Sequence, residues 1–259
     1  MRDQLDEIQK HLNDGYGRAQ ELDKVELPKR FYKDVAAGPA DDGFVVTLDG
    51  RQTRTPGKKL PIAVPSAAIA TAMAEEWAAQ GEFIDPTTMP MVRLVNSAVE
   101  SGEAMVPAFR DEVMKFAAGD LLLYRADSPQ ELVSEQEVIW DNALMTLARH
   151  FGVSFQPTIG ILHQEQPKAT LDRLANALGA ENLLTLTALV SVTGLTGSGL
   201  LTIGLLHKLF TPDFVWKAAH VDEDYQISQW GQDEEAAERR ARRRKEFDTA
   251  VFAVGALRA

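Results

Sequence analysis

The chain has 259 residues, of which 45% are hydrophobic and 25% charged; that is enough apolar material for one large core or two ordinary ones, and it excludes global disorder. There is no cysteine, which excludes a disulfide scaffold, thiolate zinc sites, iron–sulfur clusters and cysteine nucleophiles. Lysine and arginine number 27 against 38 aspartates and glutamates, a net charge of −11, and a chain so acidic is repelled by phosphate backbones and anionic lipid, against nucleic-acid or membrane-surface binding.

The start of the chain carries no targeting pattern. Asp3, Asp6 and Glu7 come too early for a mitochondrial presequence, and no basic-then-apolar run marks secretion. The simplest expectation is a bacterial-type cytoplasmic protein, or a matrix protein if a presequence was removed upstream. Residues 1–25 read as a short helical arm, with Leu5, Ile8 and Leu12 on one face and Asn13-Asp14-Gly15 as its stop.

Residues 30–64 read as β. Phe31-Tyr32 opens a short strand and Phe44 to Leu48 forms the next. Asp49-Gly50 turns the chain into Arg51–Thr55, because both turn positions need positive φ. Leu60–Val64 is a further strand, its prolines placing it at an edge. Ser66 caps a helix running to about Gln80, with Ile69, Met73 and Trp77 on one face and Gly81 as C-cap. Trp77 reads as structural, and arginine there would bury an unpaired charge. The chain is extended around Asp85-Pro86 and Met89-Pro90, then helical from about Val92 to Val99 and again from Pro107, where Phe109, Val113 and Phe116 face inward.

Beyond Gly119 the β signals nearly vanish. A long helix opens at Ser128-Pro129 and ends at Gly152, and weaker helices follow at about 168–178, 182–193 and 199–210. Thr211-Pro212 starts another that carries Trp216 and Trp230. Between Asn182 and His207 there is no Asp, Glu, Lys or Arg. Gly194, Gly197 and Gly199 interrupt that run, which predicts two short buried helices joined by a loop rather than a membrane span. Near the end, Glu235–Arg239 and Glu238–Arg242 are i,i+4 pairs in the favourable order, so the basic run Arg239–Lys245 reads as the solvated face of a terminal helix rather than an RNA-binding patch. The expected division is the arm 1–25, a β-rich domain 26–115 and a helical bundle 116–259.

No catalytic constellation stands out. The histidines 11, 150, 163, 207 and 220 are scattered, and His220 with Glu223 could offer at most half a metal site. Gly197-Ser198-Gly199 is neither a nucleophile elbow nor part of a phosphate loop. Glu137 and Asp141 read as a solvated face. The tryptophans sit in helical periodicity, where single ones usually anchor a core. A basic, hydroxyl-rich hairpin (Arg51, Thr53, Arg54, Thr55) on an acidic protein suits a binding protein at least as well as an enzyme. The competing reading is a hydrolase or transferase with an unrecognised site at the domain junction.

A set of short motifs occurs in one order along most of the chain. They are Arg30-Phe31-Tyr32-Lys33, Leu48-Asp49-Gly50-Arg51, Glu76-Trp77-Ala78-Ala79-Gln80, Met89-Pro90, Asp120-Leu121-Leu122 with Tyr124-Arg125, Gln136 with Trp140-Asp141, and Glu223, Tyr225-Gln226, Trp230-Gly231 and Asp233–Ala236. In this order the sequence resembles the assembly chaperones that handle the α subunit of F-type ATP synthase. The resemblance implies an α+β protein, with a small β-rich N-terminal domain followed by a C-terminal orthogonal helical bundle. It implies no enzyme activity, no cofactor and no metal. It implies a protein that is monomeric when free and shields the unassembled α subunit. It also places client contacts at Glu223, Gln226, Trp230, Asp233 and Glu234. Ser191–Leu206 departs from the alanine- and leucine-rich helix the resemblance implies, being richer in glycine and threonine.

Overall fold

The computed structural model describes residues 27–258, so the arm expected over 1–25 lies outside the described residues. Strand β2 (Gly43–Leu48) forms where the run Phe44–Leu48 predicts one, with Val46 and Leu48 buried. It pairs antiparallel with β1 (Val35–Ala40) on one side and β3 (Arg51–Gln52) on the other. Asp49 and Gly50 turn the chain with φ of 48° and 77°, as a tight hairpin requires. Strand β1 was not foreseen. Phe31-Tyr32, read as a strand, is instead irregular. Tyr32 is buried edge-on against the Trp77 ring and donates its hydroxyl to the Trp77 carbonyl at 2.7 Å. The strand expected at 60–64 is reduced to isolated bridges at Pro61 and Val64, since prolines remove ladder donors.

Helix α1 (Ala67–Ala78) sends Ile69 and Met73 into the core and packs on β1 and β2. Trp77, on the same stripe, is only half-buried. The helix closes at Ala79, so Gly81 is not its cap. Helix α2 (Pro90–Ser101) starts two residues earlier than predicted. Proline suits the first helical position, where its missing N–H costs nothing. The Glu76 carboxylate accepts the Met91 and Val92 N–H groups there at 2.8 Å each. Gln80 ties the preceding loop, accepting from Asp85 N–H and donating to Thr88 Oγ1. Helix α3 (Val106–Ala118) follows.

The long predicted helix is continuous but has three parts: α4 (Gln130–Gln136), a π-helical turn (Glu137–Asp141) and α5 (Asn142–Phe151), closed by left-handed Gly152. A two-stranded parallel pair, β4 (Tyr124–Arg125) with β5 (Thr158–Ile159), flanks it. Two residues per strand leave no periodicity for a sequence reading to find. After α6 (Lys168–Ala177), the charge-free run folds as two short buried helices, α7 (Leu183–Thr196) and α8 (Gly199–Leu206), joined at Gly197 with φ of 70°. No helix among the described residues is long and apolar enough to cross a membrane. The helix expected from Thr211 onward breaks at His220 into α9 (Pro212–Ala219) and α10 (Val221–Trp230), and α11 (Glu234–Leu257) is the last element among the described residues.

Helix α7 touches α2, α3, α8, α9 and α11, which is why it is apolar all round. One hydrophobic cluster runs from the sheet through α7 to α11. The glycines and threonines of Ser191–Leu206 serve this packing. A Cβ on Gly199 would lie 2.3 Å from the Val113 carbonyl oxygen, and one on Gly204 would lie 2.2 Å from the Phe210 ring. The three buried threonines of this stretch satisfy their hydroxyls: Thr193 bonds Thr202 at 2.9 Å, and Thr196 donates to the Val192 carbonyl.

Candidate functional site

Three motif residues of the helical half, Asp120, Gln136 and Trp140, turn inward and close backbone groups. Asp120 is fully buried. It accepts from Leu122 N–H at 3.1 Å, Leu200 N–H at 2.8 Å and the Ser198 hydroxyl at 2.8 and 2.9 Å. One carboxylate therefore joins a 3-10 turn at Leu121–Leu123 to the start of α8. Burial pushes its pKa up to about 7 against those donors. The serine–acid pair caps the helix: Ser198 Oγ in turn accepts from Leu201 N–H at the start of α8, and both side chains are fully buried, out of reach of a substrate. Gln136 accepts from Ala126 N–H and donates to Asp222 at 2.7 Å, tying α4 to α10. Trp140 donates its indole N–H to the Ala218 carbonyl. Arg125 pairs with Asp141 at 2.6 Å and lies over the Trp140 ring. The Glu137–Asp141 face is thus partly engaged, not wholly solvated.

His220, a partly exposed structural histidine by the sequence reading, is instead buried against Trp216 and donates Nδ1–H to the Trp216 carbonyl at 2.7 Å. Burial holds its pKa below the ordinary imidazole range. Its Nε2 lies 3.9 Å from Glu223, and no group of three metal-ligating side chains occurs among the described residues.

The predicted client residues gather at the α10–α11 edge. Glu223 and Asp224 both pair with Arg240 of α11, Glu223 at 3.6 Å, which fixes the two helices together. Gln226 lies exposed one turn on. Trp230, at the end of α10, is 80% exposed, contrary to the core role that helical tryptophans usually take. The chain turns at Gly231 (φ 79°). Asp233 then caps α11 by accepting Ala236 N–H at 2.8 Å, with Glu234 exposed beside it. Beyond them the two i,i+4 pairs form as read, Glu235–Arg239 at 3.1 Å and Glu238–Arg242 at 3.7 Å. Further exposed apolar side chains in the helical half escaped the sequence reading: Val138 (73%), Ile159, Ile161 (94%) and Leu162. Val138 follows α4, against which α10 packs. In sequence it is hidden inside the core-like run Val138-Ile139-Trp140.

The N-terminal half holds a cavity of about 830 Å³ under the hairpin, lined among others by Tyr32, Arg51, Thr53, Trp77 and Met89. Its acid, Asp49, is spent on the Lys33 and Asp34 N–H groups, which hold its carboxyl below the usual range. The raised carboxyls elsewhere, Glu76 and Asp120, are likewise bound to backbone N–H groups.

The same architecture occurs in crystal structures of known proteins. Atp12 from Paracoccus denitrificans matches with a TM-score of 0.80 and 32% identity, covering 89% of this chain and 98% of that one. The chain belongs to the ATP12 chaperone family. The ATP12 chaperone protein model matches residues 29–148. A candidate chaperone from Agrobacterium tumefaciens matches with a TM-score of 0.84 and 38% identity, over 89% of this chain and 87% of that one. The mitochondrial protein atp12 of Schizosaccharomyces pombe is 23% identical over 221 residues, 81% of this chain and 76% of that protein. The α+β fold read from the sequence is therefore that of ATP12 chaperones. In this chain Glu76, Gln80, Asp120, Gln136 and Trp140, all among the short motifs noted in the sequence, act as polar clamps of the fold.

Proposed function

We propose that this chain is a non-enzymatic assembly chaperone of F-type ATP synthase. It holds the unassembled α subunit and covers the surface that the β subunit later takes. Membership of the ATP12 chaperone family along nearly the whole described chain is the observation that supports this reading most. Unassembled subunit interfaces are apolar and aggregate until a ring closes over them. A chaperone for such a surface needs a limited apolar contact with a polar rim, tight enough to hold and weak enough to be displaced. The α10–α11 edge has that character: exposed Trp230 as the apolar anchor, with Gln226, Asp233, Glu234 and the solvent side of Glu223 around it. Aromatic anchors of this kind dominate binding energy when a partner buries them.

The Trp230→Ala variant separates client binding from folding. The side chain is 80% exposed, so stability should change by less than about 0.5 kcal/mol, while affinity for the α subunit falls about tenfold or more. Glu223→Lys should also weaken capture, but with some loss of stability, because it places a second cation against Arg240. Pull-down of α subunit at a temperature where both variants are fully folded, with their melting temperatures measured alongside, checks both. Undiminished capture by Trp230→Ala would remove this edge from the contact surface.

A further inference from the structure

The hairpin that stood out in the sequence as basic and hydroxyl-rich forms one wall of the N-terminal cavity. Arg51, Arg54, Lys59 and Arg93 surround that cavity with Asp49 as the only acid among the described residues that line it; Leu48, Trp77, Met89 and Val92 give it an apolar interior, with exposed Phe31 at its rim. Among the described residues Arg51 and Lys59 form no ion pair. Three lining residues also carry buried polar atoms that have no hydrogen-bond partner: Thr53 Oγ1, Trp77 Nε1 and Asn96 Oδ1. They are half of the six such side-chain atoms found among the described residues. A buried polar atom left unpaired is costly; these three have almost no accessible surface of their own, so a ligand completes them only as the side chains lining the cavity shift to admit it. The set contains a donor (indole N–H), an acceptor (amide oxygen) and a hydroxyl that can act as either.

We propose that this cavity is a docking pocket for an extended peptide segment of a partner protein, one that carries a bulky apolar side chain between carboxylates. The backbone of such a segment offers the N–H and C=O groups that the mixed set needs. Its apolar side chain suits the interior, and its acids suit Arg51 and Lys59. The volume of about 830 Å³ lies within the range of formed ligand sites. This site is separate from the α10–α11 edge and does not depend on which protein the client is.

The test uses the full chain and the acetylated, amidated peptide Glu-Leu-Phe-Glu-Leu as probe, followed through the indole N–H resonances of the four tryptophans, with Trp77 assigned by Trp77→Phe. The Trp77 signal should move on titration while that of Trp140, whose N–H is bonded to Ala218, stays. Binding should weaken about tenfold in the Arg51→Glu/Lys59→Glu double variant, whose changes lie at exposed positions, and should fall with salt. Thr53→Val, which keeps the side-chain shape and breaks no existing bond, should weaken it about threefold. An unmoved Trp77 signal would overturn the proposal. So would equal binding of the peptide with lysines in place of its glutamates, or phenylacetate binding as tightly as the peptide.

Discussion

Replacing Asp120 with alanine should destabilise the protein by about 4 kcal/mol, close to the whole stability of many domains. The change leaves the Leu122 and Leu200 N–H groups and the Ser198 hydroxyl without their acceptor in a fully buried site. Urea unfolding measures the loss, and a loss under about 1 kcal/mol would contradict the capping role. The same residue gives a pH signature. Its carboxyl sits at about 7 in the fold against an ordinary 3.8. Between those values the folded state holds a proton that the unfolded state has released. The stability tied to this proton is therefore fully present below about pH 4 and is lost as pH rises through about 7, by at most about 1.4 kcal/mol per unit. Asp120→Asn cannot titrate. The stability advantage of the wild type over this variant should narrow between pH 5 and 8, and a constant or widening gap would contradict the assignment.

Gly199→Ala should cost about 3 kcal/mol, a large effect for one methyl group. Its Cβ would come within 2.3 Å of the Val113 carbonyl oxygen and 2.5 Å of the Ala117 backbone nitrogen. Both belong to the backbone of α3, so no rotamer change relieves the clash and α8 must move away from α3. Gly194, five residues earlier in α7, is the control. A Cβ there meets nothing within 4 Å, so Gly194→Ala should stabilise by roughly 0.5–1 kcal/mol through helix propensity. Thermal melts of the two variants should shift in opposite directions. A shift in the same direction would mean that the α8–α3 contact is not as close as described.

Where the chain repeats a strong local signal, the sequence was enough. The Asp49-Gly50 turn between two strand-like runs, the Ile69–Met73 stripe and the long helix closed by Gly152 all form, although the second run keeps only Arg51–Gln52 as a strand. The failures have local causes. Val35–Ala40 is alanine, glycine and proline with one valine, and it is a strand because β2 offers it a full ladder, which no propensity reveals. The β4–β5 pair joins residues far apart in sequence and is too short to leave a period. His220 sits where helical periodicity continues, yet the backbone breaks there as the ring folds onto Trp216.

The site was legible to a different degree. That Glu223, Gln226 and Trp230 share a face follows from spacing alone. That Trp230 is exposed while Trp140 and Trp216 are buried does not follow from the helical periodicity in which all three lie, although Ser228-Gln229 and Gly231-Gln232 beside Trp230 are polar; only tertiary packing decides which of the three faces is covered. The role of Asp120 was hidden for the same reason. Its partners Ser198 and Leu200 are about eighty residues away, and only the fold brings the two helix starts to one carboxylate. The basic hairpin was visible as an anomaly of charge, whereas the unpaired atoms of Thr53, Trp77 and Asn96 around its cavity are visible only in three dimensions.

The most direct test of the proposed chaperone role is co-expression with the ATP synthase α subunit of the same organism, followed by size-exclusion chromatography of the soluble fraction. The account predicts more soluble α subunit than without the chaperone, and a one-to-one complex that dissociates when β subunit is added. An α subunit that stays insoluble while this protein elutes alone would contradict it.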